Sequence, residues 1–248
     1  MRAVVQPDGE AVGTYAAELI ERRLRENPRL VLGLPTGQTP LPMYAALIRR
    51  QREAGLDFSQ VTTFNLDEYV GLPAQDPRSY AFYMEKHFFA HVALPRSQVF
   101  LPNGEAADPY EEALRYEQLL QSHGGLDLAI VGIGRNGHIG FNEPAERLMA
   151  RTHVAVLSEE TRTANARFFG SPEAVPPTAI TVGMAAVGQA KEVLLLASGS
   201  AKAAAVAAAC SGEVTTHLPA SLLQLHPNAT FLLDRQAAAQ LRDNDGYE

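Results

Sequence analysis

Short apolar runs alternate with amphipathic segments along the chain. The runs are rich in Leu, Val and Ile and predict strands at residues 2–5, 30–34, 61–66, 126–133, 153–157, 193–197 and 230–233. Apolar residues at helical spacing predict helices at residues 9–26, 40–54, 77–92 and 109–123. Strands that alternate with helices indicate a parallel sheet covered on both faces.

No linker, charge block or internal repeat divides the chain. We therefore predict a single α/β domain over residues 1–248. Its sheet is expected to be open, mostly parallel and flanked by helices on both faces, in a modified Rossmann-like arrangement. The least regular stretch, residues 169–177, contains Gly170 and three prolines and is a candidate surface loop or lid boundary.

Composition narrows the class of protein. The net charge of −7 gives no excess of positive charge with which to bind nucleic acid or an anionic membrane. The single Cys210 excludes an intramolecular disulfide and a cysteine-rich metal site. The N-terminal segment lacks the apolar core of a signal peptide, and no apolar run reaches transmembrane length, so we expect a cytoplasmic protein.

The most informative segment, residues 131–144, reads VGIGRNGHIGFNEP. It places Asn136, His138, Asn142 and Glu143 directly after a predicted strand, where open α/β sheets bind ligands. A His and a carboxylate are a common pair for proton transfer near neutral pH. The alternative is a glycine-rich connector whose His caps a helix.

A second glycine turn, residues 32–40, reads LGLPTGQTP and joins a predicted strand to a predicted helix. Thr39 is a candidate N-cap and Pro40 a candidate first helical residue. Free amides at this helix start, with the hydroxyls of Thr36 and Thr39, predict an anion site. The turn lacks the Gly-Lys-Ser/Thr ending of a Walker A loop, and an ordinary strand–helix turn is the alternative.

Two carboxylates, Asp67 and Glu68, follow the predicted strand at residues 61–66. Adjacent residues of an extended chain point in opposite directions, so we expect one of them to face a ligand. Partial desolvation would raise its pKa towards a value useful for a general base. The alternative is a pair of solvated acids in a turn.

Two basic residues also stand at predicted element boundaries. Arg162 lies at the start of a probable helix, and Lys202 lies in the first turn of the helix after the strand at residues 193–197. A Lys near a helix N-terminus opposes the macrodipole, and an anionic ligand would resolve the conflict. The alternative is that both are surface residues.

Sequence signals for metal binding, serine hydrolysis and dinucleotide binding are weak or absent. His87 and His91 are four residues apart, but their Phe-rich neighbourhood favours packing over a metal site. The chain has no Gly-x-Ser-x-Gly elbow, and no dinucleotide fingerprint follows the first strands. We expect no metal and no cofactor.

Taken together and in order, several segments resemble the glucosamine-6-phosphate deaminase family over nearly the whole chain. They include LGLPTGQTPLPMY, FNLDEYVGL, GIGRNGHIGFNEP, TRTANARFF and SGSAKAAAV. The resemblance implies conversion of glucosamine 6-phosphate and water to fructose 6-phosphate and ammonia, in amino-sugar catabolism and without a cofactor or metal.

The resemblance also implies a role for each candidate residue. Asp67 is the base that moves a proton between C2 and C1, His138 carries protons in ring opening, and Glu143 orients His138. Asn136 stands where relatives carry Asp or Asn and positions its neighbours, because an amide cannot accept a proton as a base does. Residues implied to bind the substrate phosphate are Thr36, Gly37, Gln38 through its backbone, Thr39, Arg162 and Lys202.

Some members of that family are hexamers activated by N-acetylglucosamine 6-phosphate, and they carry a basic cluster after the FNEP segment and a longer C-terminus. Here residues 151–156 read RTHVAV, with Ala155 and Val156 where basic and hydroxyl groups would be expected, and the chain ends soon after Leu241. We expect the short, unregulated type, as a monomer or small homo-oligomer whose partner is a small sugar phosphate.

Two other functions compete with this one. A 6-phosphogluconolactonase would use the same phosphate cradle, but ester hydrolysis needs no base such as Asp67 at the carbon skeleton, and the segment after His138 continues as in the deaminases. A non-enzymatic sugar-phosphate sensor would need a partner domain or DNA-binding segment, and the sequence contains neither.

Overall fold

The computed structural model describes residues 1–241, and the end of the predicted domain, residues 242–248, lies outside the described residues. Its main sheet has seven strands in the order β1-β10-β9-β6-β2-β3-β5, and every neighbouring pair is parallel. These strands are β1 (Arg2–Gln6), β2 (Val31–Leu34), β3 (Thr62–Asn65), β5 (Val99–Phe100), β6 (Leu128–Gly132), β9 (Glu192–Ala197) and β10 (Ala229–Asp234). The predicted α/β class with a parallel sheet is confirmed.

A second, antiparallel sheet has three strands in the order β4-β8-β7. They are β4 (Asp67–Tyr69), β7 (His153–Val156) and β8 (Thr178–Thr181). The sequence pattern missed β4, β5 and β8. β4 and β5 have only three and two residues, which are too few to show a period. The predicted strand at residues 153–157 exists, but it belongs to this small sheet.

The helices are α1 (Gly9–Glu26), α2 (Leu41–Ala54), α3 (Tyr80–His87), α4 (Pro109–Ser122), α5 (Glu159–Phe169), α6 (Met184–Gly188) and α7 (Ala203–Ala209). The predicted helix at residues 77–92 is shorter than expected, because Ser79 caps α3 and a 3₁₀ turn, Phe89–His91, follows it. Side chains that cap helix starts are Asp8, Ser79, Asp108 and Ser158.

Helices cover both faces of the main sheet. Along β6, Leu128 and Ile130 enter the core formed with α1, α2 and α3, whereas Ala129 and Val131 enter the core formed with α4 and α7. Strand residues alternate between faces, so a strand buried on both sides reads as a continuous apolar run. This explains why the sequence pattern found the central strands.

The chain changes direction across the sheet between β2 and β6. From β2 it moves outward to β3 and β5, then returns to β6 on the other side of β2 and continues to β9 and β10. In open α/β sheets, the carboxyl ends of strands at such a reversal form a ligand crevice. The loops after β2, β3, β6 and β9 therefore meet at one edge of the sheet.

Candidate active site

Asp67 follows β3 and begins β4, and its side chain is 7% exposed. It packs against the loop after β6, where a Cβ atom on Gly140 would lie 3.3 Å from Asp67 Oδ2. Burial, together with the negative charge of Glu68, raises the pKa of Asp67 to about 8. The structure thus brings Asp67 next to the segment that carries His138 and gives it a carboxyl group that can hold or release a proton near neutral pH.

The side chain of Glu68 points away from Asp67 and reaches the start of α3. Its carboxylate accepts hydrogen bonds from the backbone amides of Tyr69, Tyr80 and Ala81 at 2.8–2.9 Å. Burial raises the pKa of Glu68, and these three amides oppose the rise. The alternative of two solvated turn acids is wrong, because both side chains are buried.

His138 and Glu143 face each other in the loop after β6, with His138 Nδ1 and Glu143 Oε2 3.6 Å apart. Glu143 Oε2 accepts from Asn136 Nδ2 at 3.0 Å, and Glu143 Oε1 accepts from the Thr161 hydroxyl. Asn136 Oδ1 in turn accepts from the His138 amide at 3.2 Å. Burial favours the neutral form of Glu143, but its contacts with His138, Thr161 and Asn136 outweigh burial and lower its pKa to about 2.

The His138 ring packs directly on Gly134. A Cβ atom at Gly134 would lie 2.4 Å from the ring, so this position excludes any larger residue while the ring stays in place. His138 therefore belongs to a packed pair with Glu143, and the alternative of a helix-capping His in a plain connector is wrong.

The loop after β2 carries the predicted anion site, Thr36–Thr39. Gly37 has a φ of 101°, a backbone conformation that favours glycine. Tyr44 Oη donates to the Pro35 carbonyl at 2.6 Å, and Tyr83 Oη donates to the Gly37 carbonyl at 2.5 Å. These hydroxyls, which the sequence analysis missed, hold two loop carbonyls against the protein interior.

The prediction of Thr39 as the N-cap of α2 is wrong. Pro40 occupies that position with helical φ and ψ angles and no side-chain cap, and α2 begins at Leu41. The Leu41 amide donates to the Gln38 carbonyl at 3.3 Å, so the backbone enters the helix through a tight turn instead. The Thr39 hydroxyl is not used as a cap.

Arg162 is the fourth residue of α5 and so lies near the start of a helix, as predicted. Its Nη2 donates to the Pro172 carbonyl at 2.9 Å, and its Nε is buried without a hydrogen bond. A buried guanidinium nitrogen without a partner costs free energy unless a ligand supplies an acceptor. Arg162 thus has an unused donor for an anion.

Lys202 is half-buried and immediately precedes α7, beyond the carboxyl end of β9. Burial and the positive charges of Arg135 and Arg167 lower its pKa. Two further cations, Arg135 and Arg167, therefore lie near Lys202. Within residues 1–241, no hydrogen bond joins Arg162 or Lys202 to Thr36–Thr39. Sequence analysis missed Arg135 and Arg167, although Arg135 lies in the segment GIGRNGHIG.

Two observations concern the rest of the described chain. His87 packs against the ring of Tyr83, and His91 Nε2 contacts the Lys86 carbonyl. Within residues 1–241, no group of three or more His, Cys, Asp or Glu side chains is arranged to hold a metal ion. No helix within residues 1–241 is both long and apolar enough to cross a bilayer.

The chain is similar to known proteins over nearly its whole length. The family model described as glucosamine-6-phosphate isomerases/6-phosphogluconolactonase matches residues 9–232. The chain is 46% identical over 245 residues to a glucosamine-6-phosphate deaminase of Thermoanaerobacter pseudethanolicus, covering 99% of this chain and 97% of the relative. It is 50% identical over 230 residues to that of Shouchella clausii, covering 93% of each.

Two solved structures share this fold. A structure described as a monomeric glucosamine-6-phosphate deaminase matches with a TM-score of 0.95 and 46% identity, over 97% of this chain and all of that one. A 6-phosphogluconolactonase from Trypanosoma brucei matches with a TM-score of 0.75 and 18% identity, over 98% and 99% of the two chains, which shows the shared fold alone. The chain belongs to the glucosamine-6-phosphate isomerase/6-phosphogluconolactonase family.

Proposed function

We propose that the protein converts glucosamine 6-phosphate and water to fructose 6-phosphate and ammonia. The observation that carries this proposal is the buried Asp67 carboxyl group packed against Gly140, in the same loop as the His138–Glu143 pair. The relatives named as glucosamine-6-phosphate deaminases support the substrate. Because phosphorylated sugars are retained inside cells, the cytoplasm is the place for this reaction.

The proposed reaction begins with the closed sugar ring. His138 moves a proton between the ring oxygen and the C1 hydroxyl, so that the ring opens to the aldehyde. Glu143, which stays ionised because its pKa is about 2, orients the imidazole and stabilises its charged form. Asn136 holds Glu143 and the His138 amide in place and exchanges no proton.

Asp67 performs the carbon chemistry. Its carboxylate removes the C2 proton while the C1 oxygen takes a proton from the ammonium group of the sugar, which gives an enolamine. The resulting carboxylic acid then delivers its proton to C1, leaving a C=N bond at C2 and the carboxylate restored. Water adds to that carbon, and the C–N bond then breaks to release ammonia and the ketone. A buried base keeps the transferred proton away from solvent, so the same proton can be delivered to the neighbouring carbon.

The substrate phosphate is bound by the loop Thr36–Thr39, with Gln38 contributing its backbone amide, and by Arg162 and Lys202. The unpartnered Nε of Arg162, and the positive charges of Arg135 and Arg167 close to Lys202, support binding of an anion by these residues. Phosphate neutralises charges that otherwise repel one another. As one relative is described as monomeric, we propose a monomer or small homo-oligomer.

An assay of ammonia and fructose 6-phosphate release from glucosamine 6-phosphate tests the proposal. We expect both products in equal amounts and no acid release from 6-phosphogluconolactone. Lactone hydrolysis without ammonia release would instead assign the chain to the hydrolase branch. The buried Asp67, beside a His–Glu pair, counts against that branch because hydrolysis of an ester needs no base at the carbon skeleton.

A further inference from the structure

The turn after β9, residues 198–202, is held by a carboxylate from the neighbouring strand. Asp234, the last residue of β10, accepts a hydrogen bond from the Gly199 amide, which lies 2.9 Å from Oδ2 and 3.1 Å from Oδ1. Gly199 has a φ of 87°, which favours glycine. The Lys202 amide donates to the Gly199 carbonyl at 3.1 Å. Gly199 therefore links Asp234 to the backbone of Lys202.

The carboxylate of Asp234 is itself fixed in place. Its Oδ1 also accepts a hydrogen bond from the amide of Ala237 at 2.7 Å, and Ala237 is fully buried in the core. The side chain of Asp234 is buried as well. Two amides from different segments thus hold the carboxylate, and it can act as a rigid support for the turn after β9.

The side chain of Lys202 has no such support of its own. Within residues 1–241, its ammonium group makes no hydrogen bond and no ion pair, and Asp234 is the only side chain that hydrogen-bonds to the backbone of residues 198–202. A lysine side chain is flexible and loses conformational freedom when it binds an anion. A fixed backbone reduces the part of that cost that comes from ordering the turn.

We propose that Asp234 is a positioning residue that holds the turn after β9 so that Lys202 meets the phosphate of the substrate. The inference deepens the proposed function and rests on it for the identity of the anion. Asp234 touches neither the sugar nor its phosphate in this role, because it acts on the backbone through Gly199.

Two substitutions separate this role from that of an ordinary turn cap. Asp234→Ser keeps the cap, since Ser79 and Ser158 accept from the amide three residues later at 3.0 and 3.1 Å, the spacing that separates Asp234 from Ala237. Its hydroxyl is one bond shorter than the carboxylate and lies beyond hydrogen-bond distance of Gly199. Asp234→Asn keeps an oxygen that both amides reach.

Kinetics provide the first test. We expect Asp234→Ser to raise KM for glucosamine 6-phosphate about three- to tenfold with kcat within about twofold, because losing a hydrogen bond here weakens phosphate binding and not the chemistry. Asp234→Asn should recover most of that loss. Asp108→Ser, at a carboxylate that caps α4 beyond the opposite edge strand β5, is the matched control. A KM for Asp234→Ser within twofold of the parent, or an equal KM for Asp234→Asn, would overturn the proposal.

A binding test needs no turnover. Calorimetric titration with inorganic phosphate compares the parent, Asp234→Ser, Lys202→Ala and the double variant. We expect Asp234→Ser to weaken phosphate binding about three- to tenfold in the parent and to have no further effect once Lys202 is replaced, since coupled residues are not additive. An equal loss in both backgrounds would show that Asp234 acts independently of Lys202, which contradicts the proposal.

Gly199→Ala tests the same link if Asp234→Ser does not fold. A Cβ atom at Gly199 would meet open space, yet the φ of 87° strains the turn for any other residue. Phosphate binding should weaken as in Asp234→Ser, and an unchanged affinity would overturn the proposal. If the parent bound phosphate but released no ammonia, the proposed function would fail while the titrations still decided whether Asp234 acts through Lys202.

Discussion

Asp67 and Glu68 are neighbours in the chain, yet their side chains have different surroundings. Glu68 accepts hydrogen bonds from the amide of its neighbour Tyr69 and from the amides of Tyr80 and Ala81 at the start of α3. Asp67 accepts none from the described residues and lies against Gly140. Hydrogen bonds stabilise the charged form of a carboxyl group, and burial alone destabilises it. This difference makes Asp67 the better base of the two.

Replacing Asp67 with Asn should remove the base and keep the shape of the site. We expect kcat to fall roughly 10²- to 10⁴-fold, the usual contribution of a positioned general base, with little change in the affinity for phosphate. Asp57→Asn, at an exposed carboxylate that accepts hydrogen bonds from the nearby Ser59, is the control. A variant at Asp67 that keeps a tenth of the parent activity would show that another group takes the proton.

The pKa of Asp67 predicts the pH dependence. Because the base must be ionised and its pKa is raised to about 8, kcat/KM should increase as the pH rises towards 8. Glu68→Gln removes the negative charge that raises this pKa after burial, so the acid limb should move to lower pH. pH–rate profiles of the parent and of Glu68→Gln measure the position of the acid limb. An acid limb that moves to higher pH in Glu68→Gln, or does not move, contradicts the assignment of Asp67 as the base.

Lys202 and Arg135 should contribute unequally to substrate binding. A charge-assisted contact to phosphate is worth roughly 1.5–3 kcal/mol, so Lys202→Ala should raise KM about tenfold or more. Arg135 is exposed, and solvent screens its charge, so Arg135→Gln should raise KM only a few-fold. Arg52→Gln, in the last turn of α2, is the control. Steady-state assays at two salt concentrations measure the KM of each variant. Equal KM values for Lys202→Ala and Arg135→Gln would contradict the prediction.

At the scale of elements, the loop between β2 and α2 is held by hydroxyls from two helices. Tyr44 of α2 and Tyr83 of α3 bind the carbonyls of Pro35 and Gly37. With those carbonyls turned inward, the loop amides are left for a ligand. Helix α2 also packs closely against α1, because a Cβ atom on Gly13 of α1 would lie 2.4 Å from Pro42 of α2.

Tyr83→Phe should loosen this loop while keeping the aromatic ring. A single hydrogen bond contributes about 0.5–1.5 kcal/mol, so we expect KM to rise roughly two- to tenfold with kcat nearly unchanged. Tyr110→Phe, at an exposed position of α4, is the control. Inhibition by inorganic phosphate gives an independent measure of the loop, and an unaltered inhibition constant would show that the hydroxyl does not hold it.

At the scale of the whole molecule, residues 151–156 include β7, the edge strand of the small sheet. Arg151, Thr152 and His153 line a cavity of about 290 Å³ together with Tyr110 and Met149. Burial lowers the pKa of His153, so its ring is neutral at pH 7, and the carboxylate of Glu117 also lines the cavity. Such a surface provides little net positive charge for a second sugar phosphate.

We therefore expect hyperbolic saturation by glucosamine 6-phosphate, with a Hill coefficient of about one and no activation by N-acetylglucosamine 6-phosphate. An allosteric effector must bind one state better than another, and this cavity offers no evident source of that difference. Initial rates with and without the acetylated sugar phosphate measure it. A sigmoidal curve that becomes hyperbolic with the effector would reveal a regulatory site.

The sequence by itself determined the fold class, the central strands and the candidate chemistry. Strands buried on both faces appear as apolar runs, and the polar loops that follow them contain Asp67, His138 and Glu143 in recognisable segments. Those features are local, so one strand and its loop are enough to predict them. Family resemblance added roles for these residues, which stay predictions here.

Only the tertiary structure decided which loops meet and what surrounds each charge. The position of β6 beside β2 joins segments about a hundred residues apart in the chain, and no local period encodes that pairing. The burial of Asp67, the tyrosine contacts of the loop after β2 and the bond from Thr161 to Glu143 all cross between elements. Burial and hydrogen bonding depend on neighbours in space, so they follow from the packed fold and not from spacing along the chain.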